Sequence, residues 1–456
     1  MVANPARPEE PAGATYYATS DQYEEAVTAA VAAFEQTRRL PAFEKSAALR
    51  AISQGIAARR ADIGHLIATE SGKPIRDSLA EVDRAVLTFR LGAEEAERIG
   101  GEVIPLDLNP ASRGRTGIVR RFPIGPIAAI SPFNFPLNLA AHKLAPAIAS
   151  GNPIVLKPPS KDPLTMLAVA EIVAEAGLPE GSVSVLPMTR EVGDRMVGDE
   201  RFKLLTFTGS PEVGWKMKDR AGRKRVVLEL GGNAGVIVDR SADLEWAVRR
   251  TVVGAFSYAG QVCISVQRVF VHDAIWDDFL ARFVEAARGL KVGDPLDPQT
   301  DVGPMVDAAA VERTEAWVAE ARSMGGKVLL GGKANGAYFS PTVLTDVPPS
   351  AHVCSSEAFA PLVVVFPFRD FPDAVRGVND SRYGLQAGIF TNDLGHAWTA
   401  FEELQVGGVI VNDVPTYRID HMPYGGSKDS GVGREGVRFA VEDMTEIRIM
   451  VLAKPE

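Results

Sequence analysis

A chain of 456 residues is too long for one ordinary hydrophobic core and predicts two or three domains. Charged residues make up 23% and hydrophobic residues 46%, the balance of a soluble globular protein; the formal charge of −9 argues against a nucleic-acid partner, which wants a basic face. Two distant cysteines, Cys263 and Cys354, suggest neither a disulfide framework nor a zinc site, and the six histidines lack metal-binding spacing, so no metal is expected.

Residues 1–20 read as an extended, Pro-rich arm without the apolar core of a secretory signal. Helices are expected over 21–39, 43–70 and 76–99. A hairpin-like arm near 105–123 precedes a buried strand ending before Pro132. The apolar region 124–156 is interrupted by Pro132, Asn134, Pro136, Lys143, Pro146 and Pro153, so no membrane span is expected. A reducing cytoplasm suits a free thiol. Strands at 152–156, 183–186 and 204–208 then alternate with helices at 164–176, 191–197 and 212–220. This order implies a parallel sheet with helices on its faces, an α/β fold. Gly209 and Ser210 open the last of these helices, where free N–H groups suit a pyrophosphate. The segment is not G-x-G-x-x-G, and an ordinary strand-turn-helix junction explains it equally. A second series begins after Cys263, with strands at 267–271, 327–330, 362–366, 388–391 and 408–412, helices at 276–288 and 308–324, and a final strand at 445–451.

Two stretches carry chemistry. Tyr258-Ala259-Gly260-Gln261-Val262-Cys263 lies between a helical run and a strand-like run, where loops held by rigid elements often place reactive groups. Gly260 permits close backbone approach. On that stretch alone, a buried small hydrophobe is the simpler reading of Cys263. Upstream, Val226-Val227-Leu228-Glu229-Leu230-Gly231-Gly232 puts a carboxylate at the end of an apolar strand. Burial there raises its pKa toward the range of a general base, although pairing with Arg225 would also explain it.

Together these motifs resemble the aldehyde dehydrogenase superfamily. Its hallmarks are Glu-Leu-Gly-Gly and, further on, Gly-Gln-x-Cys; here Cys263 follows Glu229 by 34 positions (263 − 229). The remaining signatures follow in family order: Pro132-Phe133-Asn134-Phe135-Pro136, Lys157-Pro158, Phe207-Thr208-Gly209-Ser210, Glu357-Ala358-Phe359-Ala360-Pro361 and Pro423-Tyr424-Gly425-Gly426-Ser427-Lys428. The resemblance spans nearly the whole chain. It implies a Rossmann-like NAD(P)-binding domain (1–104 and 124–231), an α/β catalytic domain (232–429) and a small β oligomerisation arm (105–123 and 445–454), in a homodimer or homotetramer.

The resemblance also implies roles. Cys263 would attack an aldehyde, Asn134 would hold the oxyanion and Glu229 would activate the hydrolytic water. Members that transfer the acyl group to coenzyme A usually lack this Glu, so a free acid is the expected product. Lys157, Ser160, Gly209, Ser210, Glu357 and Phe359 would bind the cofactor. Ser160 stands where many NAD-specific relatives carry a ribose-binding Glu; a neutral Ser beside Lys161 would admit NADP as well as NAD. His142, Tyr417, Arg418 and Tyr424 fall where the family's substrate tunnel runs, and Arg418 could clamp an anionic group. This loop is most similar to lactaldehyde, phosphonoacetaldehyde and non-phosphorylating glyceraldehyde-3-phosphate dehydrogenases. The expected substrate is therefore a small polar or anionic aldehyde. Arg418 could equally pair with Asp420 or another carboxylate, and His142 could be a satisfied core histidine. The rival functions are cysteine-dependent acyl transfer or esterase-like chemistry on the same residues, and a non-catalytic binding protein.

Overall fold

Runs of β-branched and apolar residues, buried on both faces, build two parallel sheets in the computed structural model, which describes residues 1–454. In the first, six strands lie in the order 431–432, 225–229, 204–208, 127–130, 154–157, 183–185, all parallel except the first. In the second, seven strands lie in the order 327–330, 342–345, 362–368, 266–272, 234–238, 386–390, 408–411, antiparallel only at 327–330. A third, antiparallel sheet joins Gly101–Pro105, Arg115–Pro123 and Thr445–Ala453. It begins earlier than the arm expected at 105–123, because Gly101 already pairs with Arg120.

The connections decide where a site can form. In the first sheet, strand 127–130 lies between 154–157 and 204–208; the chain leaves it toward 154–157 and leaves 204–208 the opposite way, toward 225–229. That divergence opens a crevice at the carboxyl edge. Strand 225–229 ends there at Glu229, and the chain crosses directly into strand 234–238 of the second sheet. Cys263 and Glu357 sit just before strands 266–272 and 362–368. The carboxyl edge of one sheet therefore faces the amino edge of the other.

The helix expected over 43–70 is two helices, Ala42–Ala58 and Arg60–Ser71. They part at Arg59, whose φ of −101° and ψ of 21° leave the helical region. The change of direction lets Gly64 sit against Leu79 of helix Ile75–Arg98. Helix Asn138–Ser150 is buried along its whole length. Its start is held by Glu81, whose Oε1 accepts from the N–H groups of Leu137 (3.0 Å) and Asn138 (3.1 Å). Glu81 also pairs with Lys73, and neither side chain reaches solvent. The Lys73 ammonium lies 3.8 Å from the ring centre of Phe135 and 4.6 Å from that of Tyr258. One buried ion pair thus braces both chain segments that enter the crevice.

Lys73→Met would leave Glu81 charged and unpaired in the core. The expected cost is about 3–5 kcal/mol, seen as a lower urea midpoint; an unchanged midpoint would show that this pair does not brace the crevice.

Candidate active site

Nine of the residues singled out in the sequence line one cavity of 1240 Å³: Asn134, Lys157, Ser160, Gly209, Ser210, Glu229, Cys263, Glu357 and Phe359. Cys263 is partly exposed to it. The turn before it is strained, with left-handed φ at Tyr258 (49°), Ala259 (53°) and Gly260 (66°). Such conformations cost about 1–3 kcal/mol each at non-glycine positions and persist only where the surroundings over-determine them. Here a Cβ at Gly260 would collide with the Ala360 carbonyl, so only glycine fits. Gln261 holds the turn from inside: its Oε1 accepts from Val306 N–H (2.8 Å), and its backbone carbonyl accepts from Asn134 Nδ2 (3.1 Å). That second bond orients the Asn134 amide toward the turn that carries the cysteine, with one N–H of Nδ2 left to offer. Gln261 is part of the Gly-Gln-x-Cys motif, which is the signal for it.

Burial pushes the Cys263 thiol up to about 12, an effect opposed by a hydrogen bond with Tyr424 and reinforced by the nearby Glu357 carboxylate. The Sγ to Tyr424 hydroxyl distance is 3.0 Å. Glu229 is buried, with no hydrogen-bond partner on either carboxyl oxygen. Burial, and then the charge of Glu435, raise its pKa well above the ordinary value; Arg418 and Lys143 oppose them. The sequence offered Arg225 as a partner for Glu229, but Arg225 donates to the carbonyls of Asp443 (2.7 Å) and Thr445 (2.6 Å).

Sequence reading missed Glu435. Burial works against its ionisation, but Lys143 and Arg418 outweigh that and hold it at about 2. Arg418 Nη2 donates to Glu435 Oε2 (2.8 Å), and Lys143 Nζ donates to Thr208 Oγ1 (2.7 Å), to Thr206 Oγ1 (3.1 Å) and, weakly, to Glu435 Oε1 (3.5 Å). A lysine inside an otherwise apolar helix was the available signal, since lysine is almost never fully buried without a partner.

The proposed substrate contacts fare differently. Tyr417, Arg418 and Tyr424 are not among the residues that line the cavity, and neither is His142. It is buried with its Nε2 2.9 Å from Asp420 Oδ1, and Asp420 also accepts from Arg84 (2.7 Å) and Asn138 (3.0 Å). His142 is thus a satisfied core histidine in this fold, and burial lowers its pKa. Arg418 pairs with Glu435 and not with Asp420, yet its Nε is buried without a partner. Tyr417 is exposed, and Tyr424 packs under Arg418 at the cysteine.

At the far end of the cavity, the residues fit a dinucleotide. Helix Pro211–Arg220 opens at Ser210, whose side chain caps nothing; Pro211 has no N–H and Val213 N–H is bonded to the Ser210 carbonyl, which leaves the N–H groups of Ser210 and Glu212 available to a phosphate. A Cβ at Gly214 would strike Leu230, so the glycine lets this helix lie close on the sheet. Glu357 Oε1 accepts from Gly232 N–H (3.0 Å), and a Cβ at Gly231 would overlap the Glu357 carboxylate. Phe359 meets Phe133 edge-on at 5.7 Å. Lys157 lies 3.3 Å from Ser160 Oγ, under Gly193. Lys161, expected to help attract a 2′-phosphate, is paired with Asp307 instead. Arg190, which the sequence reading did not single out, also lines this end.

A doubly parallel α/β crevice with a cysteine, a buried carboxyl and a dinucleotide cradle defines a cysteine-dependent oxidoreductase. The aldehyde dehydrogenase family model matches residues 1–450. The chain is 45% identical over 445 residues to 3-sulfolactaldehyde dehydrogenase of Priestia aryabhattai, covering 97% of this chain and 93% of that one. It superposes on the aldehyde dehydrogenase 21 structure from Physcomitrella patens, in complex with its reaction product succinate, with a TM-score of 0.98 at 47% identity, covering 99% and 94% of the two chains. Glyceraldehyde-3-phosphate dehydrogenase GapN from Methanocaldococcus jannaschii, complexed with NADP, matches with a TM-score of 0.95 at 40% identity, covering 99% and 98%. The chain belongs to the aldehyde dehydrogenase family and is an NAD(P)-dependent enzyme that oxidises an aldehyde to a carboxylic acid.

The cradle carries a pH signature. Burial pushes Glu357 up to about 7 from an ordinary 4.5, against the opposing Gly232 hydrogen bond. The folded protein therefore holds a proton that the unfolded chain has released, and this contribution to stability is lost as pH rises from about 4.5 to about 7. Glu357→Gln should flatten the fall in denaturant midpoint across that window relative to the parent; parallel pH profiles would contradict the assignment.

Proposed function

We propose that the physiological substrate is a small aldehyde bearing an anionic group, and that Cys263, Asn134 and Glu229 carry the reaction. The observation that carries the mechanism is their convergence: three side chains from three separate segments line the same cavity. Cys263 Sγ attacks the aldehyde carbon and forms a thiohemiacetal. The oxygen that gathers charge is received by Asn134 Nδ2 and the Cys263 N–H, a donor set worth on the order of 2.7–4 kcal/mol per donor in comparable sites. NAD(P), when bound, supplies the hydride acceptor that takes the adduct to the thioester. Glu229, once ionised, takes a proton from water, which attacks the thioester and frees the acid.

The anionic substrate is supported by the resemblance to enzymes named for sulfolactaldehyde and solved with succinate. Arg418 is the candidate clamp: Glu435 uses one end of its guanidinium and leaves Nε unspent. NADP preference is supported by Ser160 in place of an acidic residue, and by Lys157 and Arg190, whose charges act on each other at the adenosine end. Association into a homo-oligomer is supported by apolar side chains left exposed on edge strand Thr445–Ala453, Ile447 and Ile449 among them, and on helix Leu394–Glu403, with Trp398 and Phe401. We assign the cofactor unit to 1–100 and 124–231, the catalytic unit to 232–429 and the arm to 101–123 with 445–454. No helix among the described residues is long and apolar enough to cross a membrane, and two free thiols suit a reducing cytoplasm.

Cys263→Ala should abolish reduced-cofactor production while cofactor binding persists, whereas Glu229→Gln should slow steady turnover strongly. Esterase-like or acyl-transfer chemistry without cofactor reduction would refute the redox assignment, and a Glu229→Gln enzyme at parental turnover would remove Glu229 from hydrolysis.

The substrate class is tested by kcat/KM for succinate semialdehyde against hexanal and benzaldehyde, each with NADP and NAD. The anionic substrate with NADP should lead, and Arg418→Leu should erase most of the preference for charge; a preference for hexanal or benzaldehyde would defeat the reading.

A further inference from the structure

Tyr424 is placed as a structural partner of the nucleophile, and nothing in the reaction just described uses it. Its hydroxyl lies 3.0 Å from Cys263 Sγ, within hydrogen-bond reach for sulfur. Its ring is buried against Ile264 and Leu385, and its backbone exchanges two hydrogen bonds with Glu435: Glu435 N–H to Tyr424 O at 2.6 Å and Tyr424 N–H to Glu435 O at 3.1 Å. Arg418 covers the ring face, its guanidinium carbon 3.7 Å from the ring centre. Glu435 fixes that guanidinium in turn. The phenol, its cation and the counter-ion therefore form one rigid stack that ends on the sulfur.

The direction of the hydrogen bond follows from which group ionises. Burial and the adjacent cysteine raise the phenol well above its ordinary range, so Tyr424 keeps its proton. A thiolate has no proton to give, so the bond to an ionised Cys263 runs from Tyr424 to sulfur. The other titratable groups felt by the sulfur are Glu357 and Glu229, which disfavour the thiolate when ionised, and Arg418, which favours it. Tyr424 is the hydrogen-bond donor in that set. A cation on the face of an aromatic ring draws electron density from it and makes its hydroxyl a stronger donor.

We propose that Tyr424 is a catalytic residue: its hydroxyl donates the hydrogen bond that stabilises the Cys263 thiolate as it forms, and Arg418, stacked on the ring, strengthens that bond. The thiol proton leaves to solvent, and the phenol keeps its own. This assignment rests on Cys263 being the nucleophile, and it is independent of which aldehyde the enzyme prefers.

The test is alkylation of Cys263 by iodoacetamide across pH, followed by peptide mass spectrometry on the full-length enzyme without aldehyde or cofactor. Buried Cys354 serves as the internal reference. Tyr424→Phe keeps the ring and the stack but removes the donor. A hydrogen bond to a charged group of this kind predicts roughly tenfold slower alkylation near neutral pH and an inflection about one unit higher. 3-Fluorotyrosine placed at position 424, a more acidic phenol, should move the inflection the opposite way, and it keeps the idea testable if the Phe variant does not fold. Inflections that stay at the parental value in the folded variants overturn the proposal. A parental enzyme that shows no preference for charged over neutral aldehydes, with these inflections shifted as expected, would sink the substrate reading and leave this one standing.

Discussion

A carboxylate shut away from water must find its counter-charges within the protein, and Glu435 is where this molecule meets that requirement. An uncompensated buried ion costs several kcal/mol, so Glu435 stays charged only because Lys143 and Arg418 converge on it. Those cations come from helix Asn138–Ser150 and from the loop before strand 427–428. The ion cluster thus ties the helix that follows Asn134 to the loop that carries Tyr424. The packing of both segments against the cysteine turn depends on one carboxylate holding two cations.

The same logic recurs a layer deeper. Lys73 and Glu81 compensate each other, Glu81 caps helix Asn138–Ser150, and Lys73 lies against Phe135 and Tyr258. The strained turn at 258–260 is therefore seated on a buried ion pair. Buried pairs of this kind are poor sources of net stability, because desolvation offsets their attraction. They are good at enforcing one arrangement, since every alternative leaves a charge alone. The proposed reaction, in which Cys263 must meet an amide and a carboxyl from other segments, needs that kind of constraint.

This explains what the sequence could and could not disclose. The chemistry-bearing motifs were legible because each is local: Glu229 ends an apolar strand, and Gly260 sits where only glycine clears the Ala360 carbonyl. The alternation of strands and helices was legible for the same reason. The partnerships were not, because they join residues far apart. Nothing near Arg418 announces that its counter-ion is Glu435 and not Asp420, two residues away. Asp420 is already taken by Arg84 and His142, from helices over 270 positions earlier. His142 looked like a polar tunnel wall in one dimension and is a buried acceptor's partner in three. The break at Arg59 was hidden likewise, since the helical pattern continues across it and only the packing of Gly64 on Leu79 demands the turn.

The acid-base assignment follows from the same cluster. Glu229 and Glu435 share one low-dielectric region, and two carboxylates so placed do not both ionise easily. The two cations lie against Glu435 and hydrogen-bond it, while Glu229 has no donor at all. The asymmetry of donors decides which carboxyl keeps the charge. Glu435 takes it and Glu229 is left protonated, its pKa raised in part by its ionised neighbour. Paired carboxyls driven apart in this way are how one site holds a fixed charge and a titratable base together. In the proposed reaction, the readiness of Glu229 to accept a proton is set from behind, by the residue that the cations chose.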